Sequence, residues 1–70
     1  MFKPIHTRLH YKQHDYELRR HSDGIVECNI KDEQGNIVEG QIGFKDLYEA
    51  AQWAVSTIDE YYDNLFNPRI

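Results

Sequence analysis

From Asp46 to Phe66, apolar residues recur at alternating steps of four and three. Leu47, Ala51, Ala54, Ile58, Tyr61 and Leu65 thereby share one face of a helix with about 3.6 residues per turn. The spacing predicts a helix over residues 46–65. Asp46 is its natural N-cap, and Glu49 three residues on completes a capping-box signature. Asn64 and Asn67-Pro68 mark its end, the proline because it has no backbone donor with which to continue the ladder.

Upstream the period changes to two. Ile5, Thr7, Leu9 and Tyr11 alternate with His6, Arg8, His10 and Lys12, predicting a half-buried strand over residues 5–12. After a turn at Gln13-His14-Asp15, Tyr16, Leu18 and Arg20 alternate with Glu17, Arg19 and His21. Residues 5–21 are therefore either a hairpin or one bent strand. Ser22-Asp23-Gly24 is a tight-turn signal, and Gly35 suits the left-handed position in the loop 32–36. Between these turns lies a strand over 25–31, with Val26, Cys28 and Ile30 on one face. A last strand over 37–44 groups Val38, Gly40, Ile42 and Phe44 and turns Glu39 and Gln41 outward. Glycine within a strand often marks a close backbone approach, and the helix offers Ala50, Ala51 and Ala54, so close helix-to-sheet packing is expected at Gly40. The expected fold is one α+β domain, a three- to four-stranded antiparallel meander packed on one face by a single C-terminal helix.

Composition narrows the functional classes. A chain of 70 residues buries only about 60% of its unfolded surface and is marginal without help, of which dimerisation is one form. The single cysteine, Cys28, excludes an internal disulfide. No Cys/His spacing matches a structural zinc pattern, so a reducing, cytoplasmic compartment is expected. The opening Met1-Phe-Lys-Pro-Ile-His-Thr-Arg8 has no continuous apolar run, so no secretory leader is expected. No stretch approaches the roughly 18 apolar residues of a membrane span. Charge is lopsided: residues 1–22 carry +3 and all four histidines, residues 23–70 carry −7, and the chain totals −4. That balance disfavours general binding to phosphate backbones, which needs clustered Lys and Arg.

Several features are candidates for function. Trp53 falls off the apolar stripe, on the flank that carries Glu49 and Glu60. There it either closes the edge of a small core or anchors an interface. His6, His10 and His14 are spaced for metal binding only on a helix; in a strand, His6 and His10 stand about 13 Å apart, and a solvated face is expected, with weak metal binding as an alternative. Cys28 has inward parity and reads as a buried, inert thiol. With no Ser-His or Cys-His pair placed for activation, no enzymatic role and no cofactor are expected.

The outward sheet face, expected to hold His6, Arg8, His10, Lys12, Glu17, Arg19, His21, Glu27, Asn29, Lys31, Glu39 and Gln41, carries a DNA-binding alternative. Over residues 16–62, and in the entry Phe44-Lys-Asp-Leu-Tyr-Glu-Ala-Ala51, the chain resembles small sheet-plus-helix DNA-binding modules such as the arm-binding domains of phage integrases and the AP2 domains. The resemblance implies a sheet entering the major groove, with Arg8, His10, Lys12, Arg19, His21 and Lys31 as the candidate nucleic-acid face. Glu17, Glu27 and Glu39 depart from that pattern. The preferred expectation is a protein-binding module, a regulator or phage-type inhibitor. Its docking face is Trp53, Tyr48, Glu49, Glu60, Tyr62 and Asp63, with Asp59 beside them, set against a basic partner. A homodimer through an edge strand or through the Tyr61-Tyr62-Leu65-Phe66 end is compatible with either role.

Overall fold

A computed structural model describes residues 3–66 of the chain. The elements follow in the order β1 (Ile5–Tyr11), β2 (His14–Arg20), β3 (Val26–Lys31), β4 (Ile37–Phe44) and α1 (Leu47–Phe66). The strands form one antiparallel sheet in the order β1-β2-β3-β4, the predicted meander, with α1 on one face. Residues 5–21 form a hairpin, in register from Ile5↔Arg20 to Tyr11↔His14. Its turn is Lys12-Gln13 rather than Gln13-His14-Asp15. Both residues take positive φ, 46° and 63°, the handedness that lets a two-residue loop match the twist of its strands. In the next two turns aspartates hold the backbone: Asp23 Oδ1 accepts from the Ile25 amide, and Asp32 Oδ1 from those of Gln34 and Asn36, each at 2.9 Å.

Alternation in β2 and β3 becomes burial where the helix lies over them. Tyr16, Leu18, Val26, Cys28 and Ile30 meet Phe44 from β4 and Ala50, Ala54 and Ile58 from α1. Fully burying a side chain such as Ile30 stabilises the fold by about 1.5–3 kcal/mol. The small Ala50 and Ala54 let the helix axis come down on β2 and β3, so the buried line of α1 runs 50-54-58, flanked by Leu47, Ala51, Trp53 and Val55. Tyr61, expected on the buried stripe, is 41% exposed, and its hydroxyl reaches Glu39 Oε2 at 3.2 Å. Asp46 Oδ1 accepts from the Glu49 amide at 2.8 Å, the forward half of the predicted capping box. The helix continues through Asn64 to Phe66. The stop at Asn67-Pro68 and any part played by the Leu65, Phe66 and Ile70 side chains fall outside what is described.

β4 differs from its expected facing. Against β3 the register runs Val26↔Phe44, then Glu27↔Ile42, Cys28↔Gln41, Asn29↔Gly40 and Ile30↔Glu39, and finally Lys31↔Ile37. β4 thus carries one extra residue at Gly43 and another at Val38. Each bulge exchanges the two faces. Gly43 adopts the first with φ 114°, a backbone that residues with a Cβ rarely take. Between the bulges Glu39 and Gln41 oppose core positions, and Gly40 and Ile42 look away from the helix. A Cβ at Gly40 would collide with Asn29 Oδ1 on the outer face, so the expected approach of α1 to Gly40 is corrected. Ile42 and Val38, grouped with the core by alternation, are 61% and 37% exposed.

Candidate functional site

Two surfaces remain once the core is closed: the face of α1 turned from the sheet, and the outer face of the sheet. On a helix, residues 48, 52, 56, 59, 60 and 63 fall on one arc opposite the buried line 50-54-58. Tyr48 is 74% exposed, and Glu49, Gln52, Ser56, Glu60 and Asp63 are exposed along this arc. Over the 15 steps from Tyr48 to Asp63 the face is about 22 Å long. Glu49 and Glu60 make no ion pair among the described residues. Trp53 is half-buried at the margin, its ring tilted 45° on Phe44 with centroids 5.5 Å apart. It closes the sheet edge beneath the acidic arc and presents only its rim beside Glu49 and Glu60.

The C-terminal half of α1 is tied to the first hairpin. Asp59 Oδ1 accepts from the Tyr11 hydroxyl at 2.9 Å and from Lys12 Nζ at 2.7 Å. The Lys12 ammonium, then the Tyr11 hydroxyl, hold the Asp59 carboxyl below its ordinary range, and Asp59 in turn raises both partners. Lys12 Nζ also lies 5.5 Å from the Tyr11 ring centroid and 5.2 Å from that of Tyr62. Lys12 therefore serves the helix side, not the outer sheet face where alternation placed it. The positive φ of its turn redirects it. Tyr62, half-buried against Lys12, joins the docking arc only at its edge.

The outer sheet face is a set of paired charges. Glu17, 9% exposed, sits at its centre: His6 Nε2 meets Oε2 at 2.8 Å, while Lys31 and, at 3.7 Å, Arg8 face Oε1 as ion pairs. The Lys31 ammonium first and the His6 ring second draw its carboxyl down to about 2, against the opposing effect of burial. Glu27 receives the Asn29 amide at 3.2 Å and His21 Nε2 at 3.0 Å, and Asn29 and then His21 lower its carboxyl too. His10 Nδ1 lies 2.7 Å from Asp15 Oδ1. His14 belongs to the helix side, stacked on Tyr61 with Nδ1 on the Lys12 carbonyl at 2.9 Å. Of the six candidate nucleic-acid residues, Arg8, His10, His21 and Lys31 thus face carboxylates on this surface, Lys12 lies elsewhere, and Arg19 is exposed with no ion pair among the described residues.

Sequence inspection missed the exposed Ile37 and Ile42 on this outer face, because nothing in the alternation of β4 announces its bulges. Glu39 and Gln41, expected here, belong to the helix side. Among the described residues no group of three or more His, Cys, Asp or Glu side chains is gathered to hold a metal ion. The Cys28 thiol is fully buried, and burial pushes it up to about 11. No helix among the described residues is long and apolar enough to cross a membrane. No protein-family model, curated protein or solved structure matches the chain.

Proposed function

We propose that this chain is a small non-enzymatic protein-binding module whose docking surface is the outward face of α1. Tyr48 anchors one end, and Glu49, Glu60 and Asp63 are set to meet a basic partner surface. The observation that carries this reading is a 74% exposed tyrosine on the same helix face as Glu49 and Glu60, which are in no ion pair among the described residues. A protruding aromatic supplies buried area at low entropic cost, and uncompensated charge of one sign steers encounter with a surface of the other. The sheet face supports less, since most of its cations are already spent on Glu17, Glu27 and Asp15. A buried, weakly acidic Cys28 suits a role without thiol chemistry and a reducing compartment such as the cytoplasm.

The test is affinity capture from the parent cell with wild type, Tyr48→Ala, Trp53→Ala and a Glu49→Lys/Glu60→Lys double variant, at low and high salt. Partner recovery should fall about tenfold or more for Tyr48→Ala and for the charge reversal, and less for Trp53→Ala. Salt should weaken wild-type recovery. Recovery unchanged by both surface variants, or a gel shift of duplex DNA by the wild type, overturns the reading.

A further inference from the structure

A groove lies where β1 begins and β2 ends, at that end of the sheet. It measures about 440 Å³, within the range that holds small ligands, and is lined by Pro4, Ile5, His6, Arg19, Arg20 and His21, with Ser22 at its end. None of these residues is acidic, in a chain of net charge −4.

The register explains how the cations come together. Arg19 stands directly across from His6 on β1 and Glu27 on β3, with His21 two residues further on the same side. Both imidazoles are gripped from behind through Nε2, His6 by Glu17 and His21 by Glu27, which leaves Nδ1 as the nitrogen able to serve a ligand. Arg20 builds the wall, donating from Nε and an Nη to the Lys3 carbonyl at 3.3 and 3.0 Å and so holding the Lys3-Pro4 segment beside the groove. The groove's own lining carries Arg19 and Arg20 and no carboxylate, while Glu17 and Glu27 behind the histidines are met by Lys31, Arg8 and the two rings. Arg19, exposed and in no ion pair among the described residues, has the planar donor fork that matches phosphate oxygens.

We infer that this groove is a binding site for a small phosphate-bearing ligand, with Arg19 as the principal phosphate contact, His6 and His21 as flanking rings whose Nδ1 donates to the phosphate only when the imidazole carries both protons, and Pro4 and Ile5 as the apolar wall. The site is independent of the helix face and stands or falls without it.

The experiment titrates the full chain with inorganic pyrophosphate and, separately, with adenosine diphosphate. Histidine ring NMR signals and calorimetry are followed for wild type, Arg19→Ala and the distant Lys45→Ala. Saturable shifts of His6 and His21 with little movement of His10 and His14, weakened about tenfold or more by Arg19→Ala and unchanged by Lys45→Ala, establish the site. Tighter binding of the diphosphate nucleoside identifies a nucleotide as the source of the phosphate; equal binding identifies free inorganic phosphate species. Equal weakening by both substitutions reveals diffuse attraction, and overturns the proposal. Binding of a short DNA duplex without binding of pyrophosphate overturns it too, in favour of a nucleic-acid contact. Should Arg19→Ala fail to fold, the wild-type histidine shifts decide alone.

Discussion

β3 and β4 are neighbours with the same two-residue alternation, yet only β3 turns it into a core. Val26, Cys28 and Ile30 are wholly buried, because β3 lies inside the sheet and beneath the helix. β4, at the edge, leaves every residue but Phe44 exposed. Two bulges exchange its faces, so Ile42 looks to water where its parity with Phe44 promised the core. An alternating stretch shows that a strand exists; a single extra residue decides which side each residue serves. The outer faces differ as well. β3 is tied there through Glu27 and Lys31 to His21 and Glu17, while β4 offers Ile37, Gly40 and Ile42.

The largest expected effect is at Ile30. Ile30→Ala leaves a cavity between sheet and helix and should cost about 2–5 kcal/mol in urea unfolding; a smaller loss would mean that β3 is no more central than β4. Next comes the ionic tie on the outer face. Glu17 is held at about 2 in the folded chain, below its ordinary value of 4.5, so its contribution is complete above that ordinary value and is lost as pH falls through about 2. The shift corresponds to roughly 3 kcal/mol, which the exposure of His6 and Arg8 to water reduces to about 1–2 kcal/mol. Unfolding of wild type and Glu17→Gln at about pH 7 and about pH 2 should show a gap that closes on acidification. A gap that persists unchanged in acid rules this tie out.

Gly40→Val should cost about 1 kcal/mol by displacing Asn29 from its hydrogen bond to Glu27. In an Asn29→Ala background the penalty should vanish, whereas a clash with α1 would survive there. Smallest of all, Ile42→Ala should change stability by less than about 0.5 kcal/mol, as for other exposed positions. A loss comparable to that of Ile30→Ala would restore Ile42 to the core and remove the bulge at Gly43.

Much of the fold was legible because its signals are local. The N-cap at Asp46, the turns at Gly24 and Gly35, and the inward set of β3 each depend on a few neighbouring residues and came out as the pattern predicts. The candidate sites were legible in part. Tyr48, Glu49, Glu60 and Asp63 lie on the solvent arc that helical periodicity assigns them. The pairing of sheet cations with Glu17, Glu27 and Asp15, and the groove around Arg19, require knowing which strands are adjacent and in what register. Lys12 was misplaced for a related reason, since a positive φ at a residue other than glycine leaves no mark in composition.

By itself, then, the chain determined its elements, their order and the amphipathic character of its helix, because hydrophobic period and turn chemistry act over a few residues. Only the tertiary structure decided that β4 is rephased, that Trp53 rests on Phe44, and that carboxylates silence most of the basic sheet face. Those outcomes are set by contacts between residues far apart in sequence, where register and packing, not periodicity, determine what each side chain meets.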